Sequence, residues 1–213
     1  MNLFRSQAAP RRRQSAFTMV EIALCIGIIG FALVAIIGVL PTGLRVQKDN
    51  RDDTVLGQDA TVFMEAIRGG AQGPNLLLIQ QFAERVNVGG TNYSLAVTNA
   101  GRRVIGLLCN TNYATNYVDM RAMSGIVADQ GTNQITSFRY RMFCHVTNAP
   151  VLSGPVAGSL YEVRLTFRWP VLPNGGLGDG RRTYRTLIAG DMLHQGSNPL
   201  LHFIEPLIRT NSL

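Results

Sequence analysis

Few side chains in this sequence could do chemistry, and their spacing decides which kind. His145, His194 and His202 lack the short, face-sharing intervals that metal ligation uses. Cys144 and His145 are adjacent, so on a strand they would point to opposite faces. No G-x-S-x-G elbow, Walker loop or paired-carboxylate signature occurs. Asp179, Asp191 and Glu205 stand apart from one another, where calcium needs many oxygens together. These observations predict no catalytic centre, no metal site and no cofactor. Two other features stand out. One is Glu21, which closes Phe17-Thr-Met-Val-Glu21 and is followed by Ile22 to Leu44 without a single charge. A carboxylate in an apolar segment costs about 2.5–3.5 kcal/mol at mid-bilayer, less near the edge, and such residues usually have a partner. The other is a set of arginines alternating with aromatics: Arg139 and Arg141 around Tyr140, Arg164 and Arg168 around Phe167, with Arg185 further on. If these five share the solvent face of one sheet, they could contact an anionic surface, in particular a nucleic-acid backbone. The competing reading is a solvated or salt-bridged face, since a charge of this size is ordinary.

The elements that must position these residues follow from composition. The chain has 213 residues, 46% hydrophobic and 15% charged, which excludes a disordered chain and fits one globular domain plus an appendage. Its formal charge of +7 comes from 20 basic and 13 acidic residues. Arg5, Arg11, Arg12 and Arg13 lie in the first sixteen positions, which hold no acid, so 16 basic residues remain against the same 13 acidic ones, or +3. The uncharged run from Ile22 to Leu44 would span about 34 Å as a helix, enough to cross a membrane. It is longer than the apolar core of an ordinary signal peptide and no A-x-A-like site follows it. Arg11 to Arg13 would hold the amino end in the cytoplasm. Val55, Leu56, Val62, Phe63, Ala66 and Ile67 continue at helical spacing to a stop at Gly69-Gly70, with Lys48, Asp49, Arg51, Asp52 and Asp53 as a polar stretch. Pro41, flanked by Gly38 and Gly43, cannot donate to the carbonyl of Ile37, so a bend or loosened turn is expected there. Gly27, Gly30 and Gly38 read equally as ordinary membrane-helix composition and as sites of close helix packing.

Past Gly70 the sequence predicts a separate α+β head. A second helix is expected over Asn75–Val86, and strands over Tyr93–Thr98, Arg103–Cys109, Ile135–Thr147, Leu160–Trp169 and Thr183–Ala189, with Asn110–Gln134 as a loop or irregular insert. Alternation is clearest in Tyr161, Val163, Leu165, Phe167 and Trp169 against Glu162, Arg164, Thr166 and Arg168, the mark of a half-buried antiparallel strand. Pro170–Gly180 is glycine-rich but joins two strands of a hairpin, whereas a phosphate cradle needs a helix amino terminus behind it. The tail from Asp191, with Pro199 and Pro206, has no clear pattern.

The string Arg11-Arg-Arg-Gln-Ser-Ala16, Phe17-Thr-Met-Val-Glu21 and the apolar run together resemble the class III signal of type IV pilins and type II secretion pseudopilins. Ala16 stands where glycine is usual and Met19 where leucine is commoner. The resemblance implies cleavage by a prepilin peptidase between Ala16 and Phe17, N-methylation of Phe17, and a role for Glu21 in assembly beside the terminal amine of a neighbouring subunit. It implies four segments: a cleaved cytoplasmic leader (1–16), a transmembrane assembly helix (17–44), its amphipathic continuation (45–70) and a periplasmic head (71–213) with the helix packed on an antiparallel sheet. The chain would then be a minor structural subunit of a pilus or pseudopilus in the inner membrane, not an enzyme. Its partners would be the peptidase, other pilin or pseudopilin subunits and membrane lipid, with nucleic acid as a further candidate. The residues from Phe31 to Leu44 also resemble pilin-like proteins of verrucomicrobial gene cassettes. The strong resemblance covers about the first 45 residues. With the head in an oxidising compartment, Cys109 and Cys144 could form a disulfide, or remain two buried thiols on different strands. Cys25 reads as a small apolar residue. The alternatives are an adhesive or DNA-binding module displayed on such a helix, or an anchored protein that never polymerises.

Overall fold

The computed structural model describes residues 17–124, 138–149, 158–195 and 198–206. The chain divides into two compact units, Met1–Asp49 and Asn50–Leu213. One helix, α1 (Met19–Arg68), contributes to both, and Pro41 lies inside it without interrupting the helical run. In the first unit every described side chain is exposed, Leu24 by 60% and Phe31 by 80%. This is one helix long and apolar enough to cross a membrane.

The second unit is mixed α+β. After α1 come α2 (Asn75–Phe82), β1 (Ala83–Val88), β2 (Thr91–Tyr93), α3 (Ala100–Leu108), β3 (Asn116–Arg121), β4 (Arg139–Asn148), β5 (Leu160–Val171), β6 (Leu177–Gln195) and β7 (Asn198–Pro206). The strands form one antiparallel sheet in the order β2-β1-β3-β4-β5-β6-β7. From Val55 onward α1 buries Val55, Leu56, Ala60, Phe63, Ala66 and Ile67, a stripe at the spacing a helix needs to lie on a sheet. Inward-facing residues of the central strands, Tyr140, Met142, Leu165 and Phe167, are fully buried. Tyr140 and Phe167 meet with ring centroids 5.3 Å apart, and Phe167 meets Tyr184 edge-on at 5.6 Å. The helix ends where Gly70 and Ala71 take positive φ, as the Gly69-Gly70 stop predicts.

Several elements differ from the sequence reading. The expected helix Asn75–Val86 stops at Phe82 and its last residues begin β1. The expected strand Tyr93–Thr98 is reduced to Thr91–Tyr93. The expected strand Arg103–Cys109 is a helix, α3, because Ala100, Gly101, Val104, Ile105 and Leu108 fall at helical spacing and are buried together. A short apolar run such as Val-Ile-Gly-Leu-Leu does not by itself tell a buried strand from a buried helix. Gly101 lets α3 approach α2 closely: a Cβ there would sit 2.0 Å from the carbonyl oxygen of Leu76. The stretch expected as a loop, Asn110–Gln134, contains the central strand β3, while residues 125–134 lie outside the described ones. β4 starts at Arg139, with 135–137 outside the described residues. The turn expected over Pro170–Gly180 is shorter, because β5 runs to Val171 and β6 starts at Leu177. It closes with Gly175 N–H on Leu172 O and Leu172 N–H on Gly176 O, both 2.9 Å. The patternless tail is the end of β6 and β7, which pair from Gly190 to Pro206.

Candidate functional site

The first candidate site is the amino end of α1. Thr18 Oγ1 accepts a hydrogen bond from the Glu21 N–H at 3.3 Å, so Thr18 caps the helix. The pattern Thr-x-x-Glu is the signature that could have identified this cap from sequence. Glu21 lies in the first turn, where the helix dipole favours a negative charge. It is exposed, as is Phe17 at 76%, and no described residue forms an ion pair with it. Arg11, Arg12, Arg13 and Ala16 lie outside the described residues.

The second cluster surrounds another carboxylate on α1. Asp59 is fully buried. Its Oδ2 accepts from the Met123 N–H at 3.0 Å and from the Tyr140 hydroxyl at 2.9 Å, and its Oδ1 accepts from the Ser124 hydroxyl at 2.6 Å. Burial pushes the Asp59 carboxyl above its ordinary range, while the bonds from Ser124, Met123 and Tyr140 pull the other way. Burial, reinforced by the Asp59 carboxylate, holds the Tyr140 phenol well above its usual value. Through these three bonds the buried Asp59 fastens α1 to the segment just after β3 and to β4. Its place in the stripe Val55, Leu56, Asp59, Ala60, Phe63 was a readable signal that the sequence analysis passed over.

The third cluster is the sheet face turned away from α1. The strand register puts all five candidate arginines on that face: Arg141 opposite Arg168, Arg164 opposite Arg185, and Arg139 two residues from Arg141. They are not equivalent. Arg139 pairs with Glu84, which also meets Arg121 at 3.7 Å. Arg141 grips Asp119 through Nε at 2.5 Å and Nη2 at 2.9 Å, and lies 4.2 Å over the Tyr117 ring. That bond to Asp119 holds the Arg141 pKa above its ordinary value. Both residues are thus neutralised within the fold. On β5 and β6, Arg181 joins Arg164, Arg168 and Arg185, and of these four only Arg164 has an ion-pair partner among the described residues, Glu162 at 3.2 Å. Arg181 falls between the expected turn Pro170–Gly180 and the expected strand Thr183–Ala189, whereas β6 starts at Leu177 and carries it onto this face.

Cys109 at the end of α3 and Cys144 on β4 are both buried and both free thiols. They are nonetheless brought into contact: a hydrogen bond with Cys109, together with burial, raises the Cys144 pKa well above its usual value. The disulfide expected as one alternative is not formed here, and the pair is not on two strands as the other alternative supposed, since Cys109 closes a helix. Cys25 is exposed on α1. His194 and His202 face each other across β6 and β7 with ring centroids 4.2 Å apart, and His202 Nδ1 accepts from the Thr111 N–H at 3.3 Å. Burial and the neighbouring His194 lower the pKa of His202. Among the described residues, no three His, Cys, Asp or Glu side chains gather to hold a metal ion. Comparison with protein-family models, with curated proteins and with solved structures gives no match to this chain.

Proposed function

We propose that this chain is a pilin-like structural subunit. Its leader (1–16) would be removed between Ala16 and Phe17, and its apolar helix would be stored in the inner membrane with the head outside the cytoplasm. Subunits would then pack laterally through that helix to build a pilus or pseudopilus. The observation that carries the reading is the first turn of α1. Glu21 sits at a capped helix start, directly ahead of a fully exposed apolar segment, and no described residue of its own chain pairs with it. A free amine at Phe17 of a neighbouring subunit would neutralise that carboxylate and remove two isolated charges from lipid. The exposed apolar surface from Met19 to Val46 supplies the lateral contact, and Gly27, Gly30 and Gly38, where a Cβ would meet nothing beyond the adjoining helix backbone within 4 Å, admit close helix approach. A head outside the cytoplasm would also meet oxidants able to bridge the touching Cys109 and Cys144 thiols.

The test is Glu21→Ala in the native host. Cleavage of the leader should persist while the protein in sheared filaments falls at least tenfold. An unchanged filament fraction would favour an anchored protein that never polymerises, and loss of cleavage would mean that Glu21 serves processing rather than assembly.

A further inference from the structure

The arginines of the outer sheet face divide into two groups. On β1, β3 and β4, Arg85, Arg121, Arg139 and Arg141 share the carboxylates of Glu84 and Asp119. On β5 and β6, Arg164 has Glu162 at 3.2 Å, whereas Arg168, Arg181 and Arg185 form no ion pair with any described residue. Moreover, Arg168 stands directly opposite Arg181, and Arg164 directly opposite Arg185, with the hydroxyls of Thr166 and Thr183 3.1 Å apart between the two pairs. Like charges directly opposite on a sheet repel, so this ladder costs stability in the isolated chain. The Nε groups of Arg164 and Arg168 are buried without an acceptor, and among the described residues the Arg168 guanidinium donates one hydrogen bond, from Nη2 to the Gly178 carbonyl at 3.4 Å. A shallow cavity of about 450 Å³ opens over the ladder, bounded by Phe143, His145, Arg164, Thr166, Arg168 and Arg181. The nearest acids along these strands are Glu162, already on Arg164, and the exposed Asp179 at the start of β6.

We propose that this β4–β6 surface binds single-stranded nucleic acid. Arg164 and Arg168 lie four residues apart on β5, about 13 Å along the strand, and each has an arginine beside it on β6. Cations repeated in this way match a chain of phosphates better than one free anion. The cavity is larger than a phosphate needs, and Phe143 gives it an aromatic wall on which a base can stack. Guanidinium forks supply paired donors to phosphate oxygens, and bound phosphates would relieve the arginine repulsion. The inference does not depend on filament assembly, because it concerns the head alone.

The test uses the purified full chain in detergent micelles and fluorescence anisotropy of a labelled oligothymidine at 50 mM salt. Saturable binding is expected, weakening as salt rises. In the double variant Arg168→Ala/Arg181→Ala the affinity should fall at least tenfold, and the slope of log K against log salt should shrink by about 1.4, the value for two lost phosphate contacts on a single strand. The matched control Arg85→Ala/Arg121→Ala, on the paired half of the sheet, should change affinity less than twofold. The thermal midpoint of Arg168→Ala/Arg181→Ala without ligand should be unchanged or higher, which separates a binding role from a structural one. No binding at 50 mM salt, equal losses in both double variants, or stronger competition by a sulfated polysaccharide than by unlabelled oligothymidine would overturn the proposal. So would full displacement by adenosine monophosphate at concentrations matched in nucleotide, which would make the cavity a free-nucleotide site.

Discussion

Asp59 and Glu21 lie on the same helix and meet opposite surroundings. Asp59 is sealed beneath the sheet and takes three hydrogen bonds from Met123, Ser124 and Tyr140. Glu21 is exposed at the helix start, and the one hydrogen bond beside it, from its own backbone N–H to Thr18, leaves the carboxylate untouched. Burying a charge is tolerated only when donors are supplied in return, and for Asp59 the fold supplies them all. Glu21, in front of an apolar segment, has no such donor among the described residues, which is why the proposed function looks to a neighbouring subunit for its partner. The comparison teaches that position on one helix does not set the role of an acid. What differs between the two is the set of donors that the fold brings to each carboxylate.

The largest expected effect comes from breaking the Asp59 side. Asp59→Ala should leave the Tyr140 hydroxyl and the Met123 N–H buried without an acceptor, at about 1–3 kcal/mol for each lost partner. Denaturant unfolding should therefore show a loss of about 3 kcal/mol, whereas Asp59→Asn, which keeps one accepting oxygen, should lose about 1 kcal/mol or less. Glu21→Ala should leave the denaturant midpoint of the head where it is, since Glu21 belongs to the other compact unit of the chain. A shift of that midpoint comparable to the Asp59→Ala shift would erase the contrast between the two acids.

A smaller effect lies in the pH dependence. The folded Asp59 carboxyl has a raised pKa, so its contribution to stability is full below the unfolded value near 3.8 and is lost as pH rises through the folded value. The stability of the unmodified chain minus that of Asp59→Asn should therefore decline from acid toward neutral pH. A difference that grows over that range would mean that the hydrogen bonds outweigh burial. The smallest effect is at the cap. Thr18→Ala should cost about 1 kcal/mol locally and speed amide exchange in the first turn of α1 without changing exchange in the head.

Much of this architecture was legible in the sequence because single residues carried a strong local pattern. The uncharged run after Glu21 read as a membrane-length helix with a bend or loosened turn expected at Pro41, and lies within α1; the alternation from Tyr161 to Trp169 read as a half-buried strand, which is β5. What escaped notice depended on distant partners. β3 was hidden because Asn116 and Asp119 occupy buried positions, where polar residues read as loop. Only the fold shows Asn116 donating to the Asn110 carbonyl at 2.6 Å and Asp119 held by Arg141. Asp59 was overlooked for the same reason, since its donors arrive from residues far along the chain. On the sheet face, alternation left it as a condition that Arg139, Arg141, Arg164, Arg168 and Arg185 share one side; the register meets that condition, and it also pairs the first two with Glu84 and Asp119 and adds Arg181 beside Arg168.

The claim that Glu21 awaits a partner's amine rests on there being a free amine at Phe17. The most direct measurement is mass spectrometry of the amino-terminal peptide of the protein isolated from its native membrane. The account predicts a chain that starts at N-methylated Phe17 and lacks the sixteen preceding residues. A peptide still starting at Met1, with Ala16 and Phe17 joined, would contradict it.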